Sequence, residues 1–244
     1  MKIGARRGGV SALLVTAIWM LVGAAPALAA PECTPSDQRP TVRMETTLGD
    51  IEILLCSVDV ENTVANFLQY VDEGAYTTTG FIHRSVQEDI FIVQGGGFFI
   101  TDGTFVDSVT TRPAIDLELV GLENRRGTIA MARLGGDENS ATSQWFINAQ
   151  DNLQFDTGYA VFGEVTQGMD VVDAMASQGI WSLNSGVLAE VPLVDYPDDG
   201  SSYLPHLISV TDVINLPEPG AGMQGLAAVL SMALAVNIRR RRGR

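Results

Sequence analysis

Residues 80–98 read Gly-Phe-Ile-His-Arg-Ser-Val-Gln-Glu-Asp-Ile-Phe-Ile-Val-Gln-Gly-Gly-Gly-Phe. Two short apolar runs, Gly80 to Ser85 and Ile90 to Gln94, flank the polar Gln87-Glu88-Asp89 and end at three glycines, the pattern of brief strands between turns. The same texture recurs outward at Gly127 to Ala132, Gln144 to Ile147, Ala160 to Val165 and Leu207 to Ile214. Upstream, Val42, Met44 and Thr46 alternate, Leu48-Gly49-Asp50 turns, and Ile51, Ile53 and Leu55 alternate again, which predicts a β-hairpin. Two stretches break the pattern with helical spacing. Val64, Phe67, Leu68 and Val71 form a stripe with Asp59 or Asn62 as N-cap and Gly74 at the stop, and Met169, Val172 and Ala176 share a face between Gly168 and Ser177. Many short strands with two helices predict a mostly β, closed antiparallel barrel capped by those helices. Residues 178–205, rich in Pro, Asp, Gly and Ser, read as mostly loop.

Composition bounds what such a barrel could do. Between Ala30 and Leu216 there are seven arginines, no lysine and 28 acidic residues, a net charge of about −21. A body of that charge repels nucleic acid and anionic membranes. It suits a saline habitat, where screening relieves self-repulsion, and equally an ordinary acidic exported protein. The only histidines, His83 and His206, are too few for a metal centre or a catalytic triad, so no cofactor is expected.

The two ends read differently from the body. Lys2, Arg6 and Arg7 precede an apolar run from Val10 to Val22 and then Ala27-Leu28-Ala29, which predicts a signal peptide over 1–29 removed by signal peptidase, in preference to a membrane anchor. Cys33 and Cys56 form an even pair in a chain bound for an oxidising compartment; a disulfide and a loose-plus-buried pair of thiols both fit. The domain is expected over 30–216. Residues 217–244 carry Pro217-Glu218-Pro219, an apolar stretch and five arginines.

Three segments carry the chemistry: Phe81-Ile82-His83-Arg84 with Phe91-Ile92-Val93-Gln94-Gly95-Gly96-Gly97-Phe98, then Arg126-Gly127-Thr128-Ile129-Ala130-Met131-Ala132-Arg133, then Ser140-Ala141-Thr142-Ser143-Gln144-Trp145-Phe146-Ile147-Asn148. In this order and spacing, with Gly158-Tyr159-Ala160-Val161-Phe162-Gly163 behind them, they resemble the cyclophilin family in its bacterial exported branch. The resemblance implies an eight-stranded barrel and a peptidyl-prolyl cis/trans isomerase acting as a monomer on proline-containing polypeptides. It implies Arg84 as the catalytic donor, Phe91, Ile92 and Phe146 as the proline pocket, and Gln94 and Gln144 as residues orienting the peptide and the arginine. Ala132 and Arg133 would line the neighbouring groove, with Phe155 and Tyr159 closing the far side. The tail resembles the PEP-CTERM sorting signal, which an exosortase recognises and cleaves; a permanent anchor is the alternative.

The physics of the reaction agrees with such a site. An X-Pro amide is held planar by resonance and isomerises over a barrier of roughly 18–20 kcal/mol. A fixed donor aimed at the nitrogen of the twisted amide lowers that barrier without nucleophile or metal, and a guanidinium is a rigid, permanently charged donor. Two departures from the family pattern bear on this. Arg84 and Gln94 are two residues further apart than usual, which predicts a bulge bringing Glu88 and Asp89 near Arg84, and Ile92 replaces the usual methionine. They leave room for a non-catalytic proline-peptide binding module, or for a surface component whose barrel is only a scaffold.

Overall fold

The computed structural model describes residues 33, 39–77, 80–103, 105–183 and 186–217. The expected signal peptide and the tail from residue 218 onward lie outside them. The described residues form thirteen strands and two α-helices: β1 (Thr41–Thr46), β2 (Gly49–Leu55), α1 (Glu61–Asp72), β3 (Gly80–Phe81), β4 (Arg84–Glu88), β5 (Ile90–Gly95), β6 (Phe98–Thr101), β7 (Phe105–Ser108), β8 (Thr128–Met131), β9 (Trp145–Asn148), β10 (Val161–Gln167), α2 (Met169–Ala176), β11 (Gly179–Trp181), β12 (Val191–Leu193) and β13 (Ser209–Leu216). Eleven of the strands form one antiparallel sheet in the order β4-β5-β9-β8-β10-β2-β1-β13-β3-β6-β7, while β11 and β12 pair separately.

The expected hairpin is β1–β2, with Met44 opposite Ile51 and Val42 opposite Ile53, all fully buried. The strand expected at Gly80 to Ser85 is split in two. Its halves bond to different neighbours: Ile82 N donates to Ile208 O at 2.9 Å, continuing the β3–β13 pairing, and His83 N donates to Gln94 O at 3.1 Å, starting the β4–β5 pairing. The count therefore exceeds the eight strands implied, through this split, the appended β6–β7 hairpin and the β11–β12 pair. That last pair occupies part of the stretch read as loop. Pro192 sits in the middle of β12, a three-residue strand that pairs with β11 and forms one further bridge, Leu193 to Leu207, a short edge position in which proline is tolerated.

Helix α1 buries Val64, Phe67 and Val71 as the stripe requires, and Gly74, at φ +67°, ends it. Its N-terminus differs from expectation. The N-cap is Val60, with no side-chain cap of its own, and neither Asp59 nor Asn62 fills that position. Instead the Glu118 carboxylate, 55 residues away, accepts from Thr63 N at 2.7 Å, Thr63 Oγ1 at 2.6 Å and Asn62 N at 3.3 Å. An anion there satisfies the first amides and complements the helix dipole.

The core lies between the inner face of the sheet and the helices, with Met44, Ile51, Ile53, Phe67, Trp145, Ile147 and Phe162 at its centre. Cys33 and Cys56 are joined in a disulfide, with Cα atoms 5.2 Å apart, resolving the alternative left by the sequence. Closing a loop of 23 residues restricts the unfolded chain and stabilises the fold by about 3 kcal/mol. Reduction under native conditions is therefore expected to lower Tm by roughly 5–10 °C in a calorimetric scan, and an unchanged Tm would show that the bridge carries no stability.

Candidate active site

Strand pairing assembles the site. In the β4–β5–β9 register Arg84 lies opposite Gln94, and Gln94 opposite Phe146. Alternation along β5 then puts Ile92 on the same face as Gln94. Across that face runs a polar chain: Arg84 Nη1 reaches Gln94 Oε1 at 3.4 Å, and Gln94 Nε2 donates to Gln144 Oε1 at 2.8 Å. Gly97 leaves room for Gln144, since a Cβ there would stand 2.8 Å from Gln144 Cδ.

Beside this chain lies an apolar floor of Ile92, Ala130, Phe146 and Val161, all buried. Three rings form its far wall: Phe146 stands edge-on to Phe155 and Tyr159 with centroids 5.7 and 5.6 Å away, and Phe155 and Tyr159 are 4.9 Å apart. The loop bearing Phe155 and Tyr159 is tied down by buried amides. Asn152 Nδ2 donates to Asn148 Oδ1 at 2.8 Å, and Asn124 N donates to Asp156 Oδ1 at 2.6 Å. The guanidinium of Arg133 lies 4.7 Å from the Tyr159 centroid, and its Nε donates to Gly158 O. A cation held this way keeps the ring at the rim.

These residues enclose a cavity of about 280 Å³. Nine of the ten residues expected at the site line it: Arg84, Ile92, Gln94, Ala132, Arg133, Gln144, Phe146, Phe155 and Tyr159. Phe91 does not. It precedes Ile92 on β5, so its side chain falls on the other face, and its backbone serves as an anchor for Asn152. The carboxylates near Arg84 are also not those expected. The two extra residues lengthen the β4–β5 hairpin, with Glu88 opposite Ile90 at its far end and Asp89, at φ +62°, in the turn. Arg84 pairs instead with Glu190, Nε to Oε2 at 2.7 Å, and Ser85 N donates to Glu190 O at 2.8 Å. Gly186, Val187 and Ala189 complete that wall. Nothing in the loop-like composition of 178–205 signalled this.

A sequence model described as cyclophilin type peptidyl-prolyl cis-trans isomerase/CLD matches residues 41–195, well over half of the chain. The chain belongs to this family and is a peptidyl-prolyl cis/trans isomerase. Peptidyl-prolyl cis-trans isomerase A of Dickeya dadantii is 39% identical over 184 residues, covering 73% of this chain and 88% of the relative. Peptidyl-prolyl cis-trans isomerase B of Escherichia coli is 41% identical over 162 residues, covering 63% and 93%. In fold, the chain is similar to a Cryptosporidium parvum cyclophilin-type isomerase crystallised with the dipeptide Ala-Pro, with TM-score 0.56 and 23% identity over 72% of this chain and 99% of that one. Among the described residues no group of acidic, histidine or cysteine side chains is arranged to hold a metal ion.

His83, 2% exposed, borders the cavity next to Arg84 and has its ring edge-on to Phe98. Burial holds its imidazole down to about 4; a hydrogen bond with Gln144 opposes the shift and the Arg84 charge adds to it. Because an unfolded histidine titrates near 6.5, the folded state binds fewer protons between these values. The resulting stability is complete above about pH 6.5 and lost as pH falls towards 4, about 3 kcal/mol in all. By NMR the imidazole is expected to remain neutral at pH 5. Substitution His83→Asn is expected to flatten the stability profile between pH 6.5 and 4; an equally steep profile in that variant would assign the slope to carboxylates instead.

Proposed function

We propose that the chain accelerates isomerisation at X-Pro bonds of exported polypeptides by stabilising the twisted amide with Arg84 above an apolar proline floor. The observation that carries this reading is the state of the guanidinium. Its Nε is held by Glu190 and its Nη1 leans weakly on Gln94, while Nη2 has no hydrogen-bond partner among the described residues. A donor fixed on two sides and open on the third, beside Ile92 and Phe146, is what a nitrogen regaining its lone pair requires. Gln94 and Gln144, already bonded to each other, then orient the peptide backbone and the arginine, and Phe155 and Tyr159 close over the ring. The non-catalytic alternative needs the guanidinium fork to be blocked. Glu190 engages Nε, Gln94 weakly engages Nη1, and Nη2 stays open among the described residues.

The eight-stranded barrel belongs to the same proposal. Its support is that, with residues 80–88 taken as one strand, the Ile82 and His83 amides link the two ends of the run β5, β9, β8, β10, β2, β1, β13. We also propose export: the charged and apolar start of 1–29 and the cysteine bridge fit an oxidising compartment. The Pro-Glu-Pro tail is read as a sorting signal cleaved after export.

The test is a cis/trans relaxation assay on a short Ala-Pro-Phe peptide with the purified protein and its Arg84→Ala variant. The variant is expected to lose about 10²-fold in kcat/KM while its melting curve stays unchanged, since the Arg84 side chain is 36% exposed. Undiminished catalysis, or loss of the fold, would remove Arg84 from its assigned role.

A further inference from the structure

We propose that Glu190 sets the charge preference of the site, favouring proline-containing chains that carry lysine or arginine beside the proline. The inference rests on reading the Arg84 cavity as the X-Pro site. Glu190 lines that cavity with its side chain 43% exposed, next to Arg84 and beside Val187, whose own side is open to solvent. Its position is fixed from both ends. The backbone carbonyl, just before β12, accepts from Ser85 N of β4, and one carboxylate oxygen, Oε2, accepts from Arg84 Nε. The other oxygen, Oε1, has no hydrogen-bond partner among the described residues. The mouth therefore presents one unpaired carboxylate oxygen, on a group whose charge Arg84 partly balances, in the same cavity as the proline floor.

The other charges facing the cavity do not supply this selectivity. Arg133 also lines it, but its guanidinium is stacked on Tyr159 and bonded to Gly158 O and Leu134 O. Glu190 is the only acidic residue among those lining the cavity. A cationic side chain next to the proline meets the free Oε1, whereas an anionic one meets a like charge while competing for the same guanidinium. The acidic body adds a long-range attraction for cationic chains that salt screens, while the contact at Glu190 is short-range and survives moderate salt.

The experiment compares kcat/KM for three peptides, Ala-Lys-Pro-Phe, Ala-Ala-Pro-Phe and Ala-Glu-Pro-Phe, with the purified protein and its Glu190→Gln and Arg84→Ala variants, at low and moderate salt. Glu190→Gln keeps the shape and removes the charge. The wild-type protein is expected to prefer the lysyl over the glutamyl peptide by about tenfold, and Glu190→Gln to narrow that ratio to about twofold at both salt concentrations. An unchanged ratio in Glu190→Gln, or an equal loss on all three peptides, overturns the proposal; the second result would make Glu190 only a prop for Arg84. In the wild-type protein alone, a ratio near one with all three peptides accelerated and Arg84→Ala inactive overturns the charge preference and leaves the isomerase site standing. No acceleration of any peptide by the wild-type protein overturns both.

Discussion

The register of β4, β5 and β9 is the constraint on which the site depends. On the inner face Val93 lies opposite Ile147, and Ile147 opposite Ile129, and all three are essentially inaccessible to solvent. On the outer face of the same strands Arg84, Gln94, Phe146 and Ala130 stand in line. A slip of one residue would move the inner row outward and forfeit roughly 5 kcal/mol or more of apolar burial. The core thus fixes the positions of Arg84, Gln94 and Phe146 on the opposite face, and the row that lines the cavity is the reverse side of a packing decision.

This explains why so much was legible in the sequence and where legibility stopped. The β1–β2 hairpin, the apolar stripe of α1 and the strands at 90–94, 127–132, 144–147 and 160–165 carry local periodicity, and each appears close to its expected bounds. Nine of the ten residues that the family resemblance pointed to line the cavity, Ile92, Gln94 and Phe146 from strands and Arg133, Phe155 and Tyr159 from the connections between them. Phe91 was misjudged because a run of apolar residues does not state which face each one takes. The extra residues between Arg84 and Gln94 pointed to a distorted pocket, yet adding a residue to each arm of an antiparallel hairpin keeps the pairing intact and only lengthens it.

Glu190 was invisible for a different reason. It reaches Arg84 from 106 residues away, on a segment whose composition says only that it is irregular. Contacts of that kind depend on the path of the whole chain between two elements, and no local spacing encodes them. The exposed Arg84–Glu190 pair adds little stability, about 0–1 kcal/mol, so its weight lies in orientation and in the sign of the charge at the pocket mouth. Gly186 and Val187, on the same side of the site, are exposed, whereas the floor residues Ile92, Ala130, Phe146 and Val161 are buried.

The cap on α1 shares this long-range character, and it changes how the helix should be viewed dynamically. A helix capped by its own flanking residue is a local unit whose first turn can form and fray independently. Here the amides of Asn62 and Thr63 are held by Glu118, so their hydrogen exchange reports on undocking of the segment around residue 118 as much as on the helix.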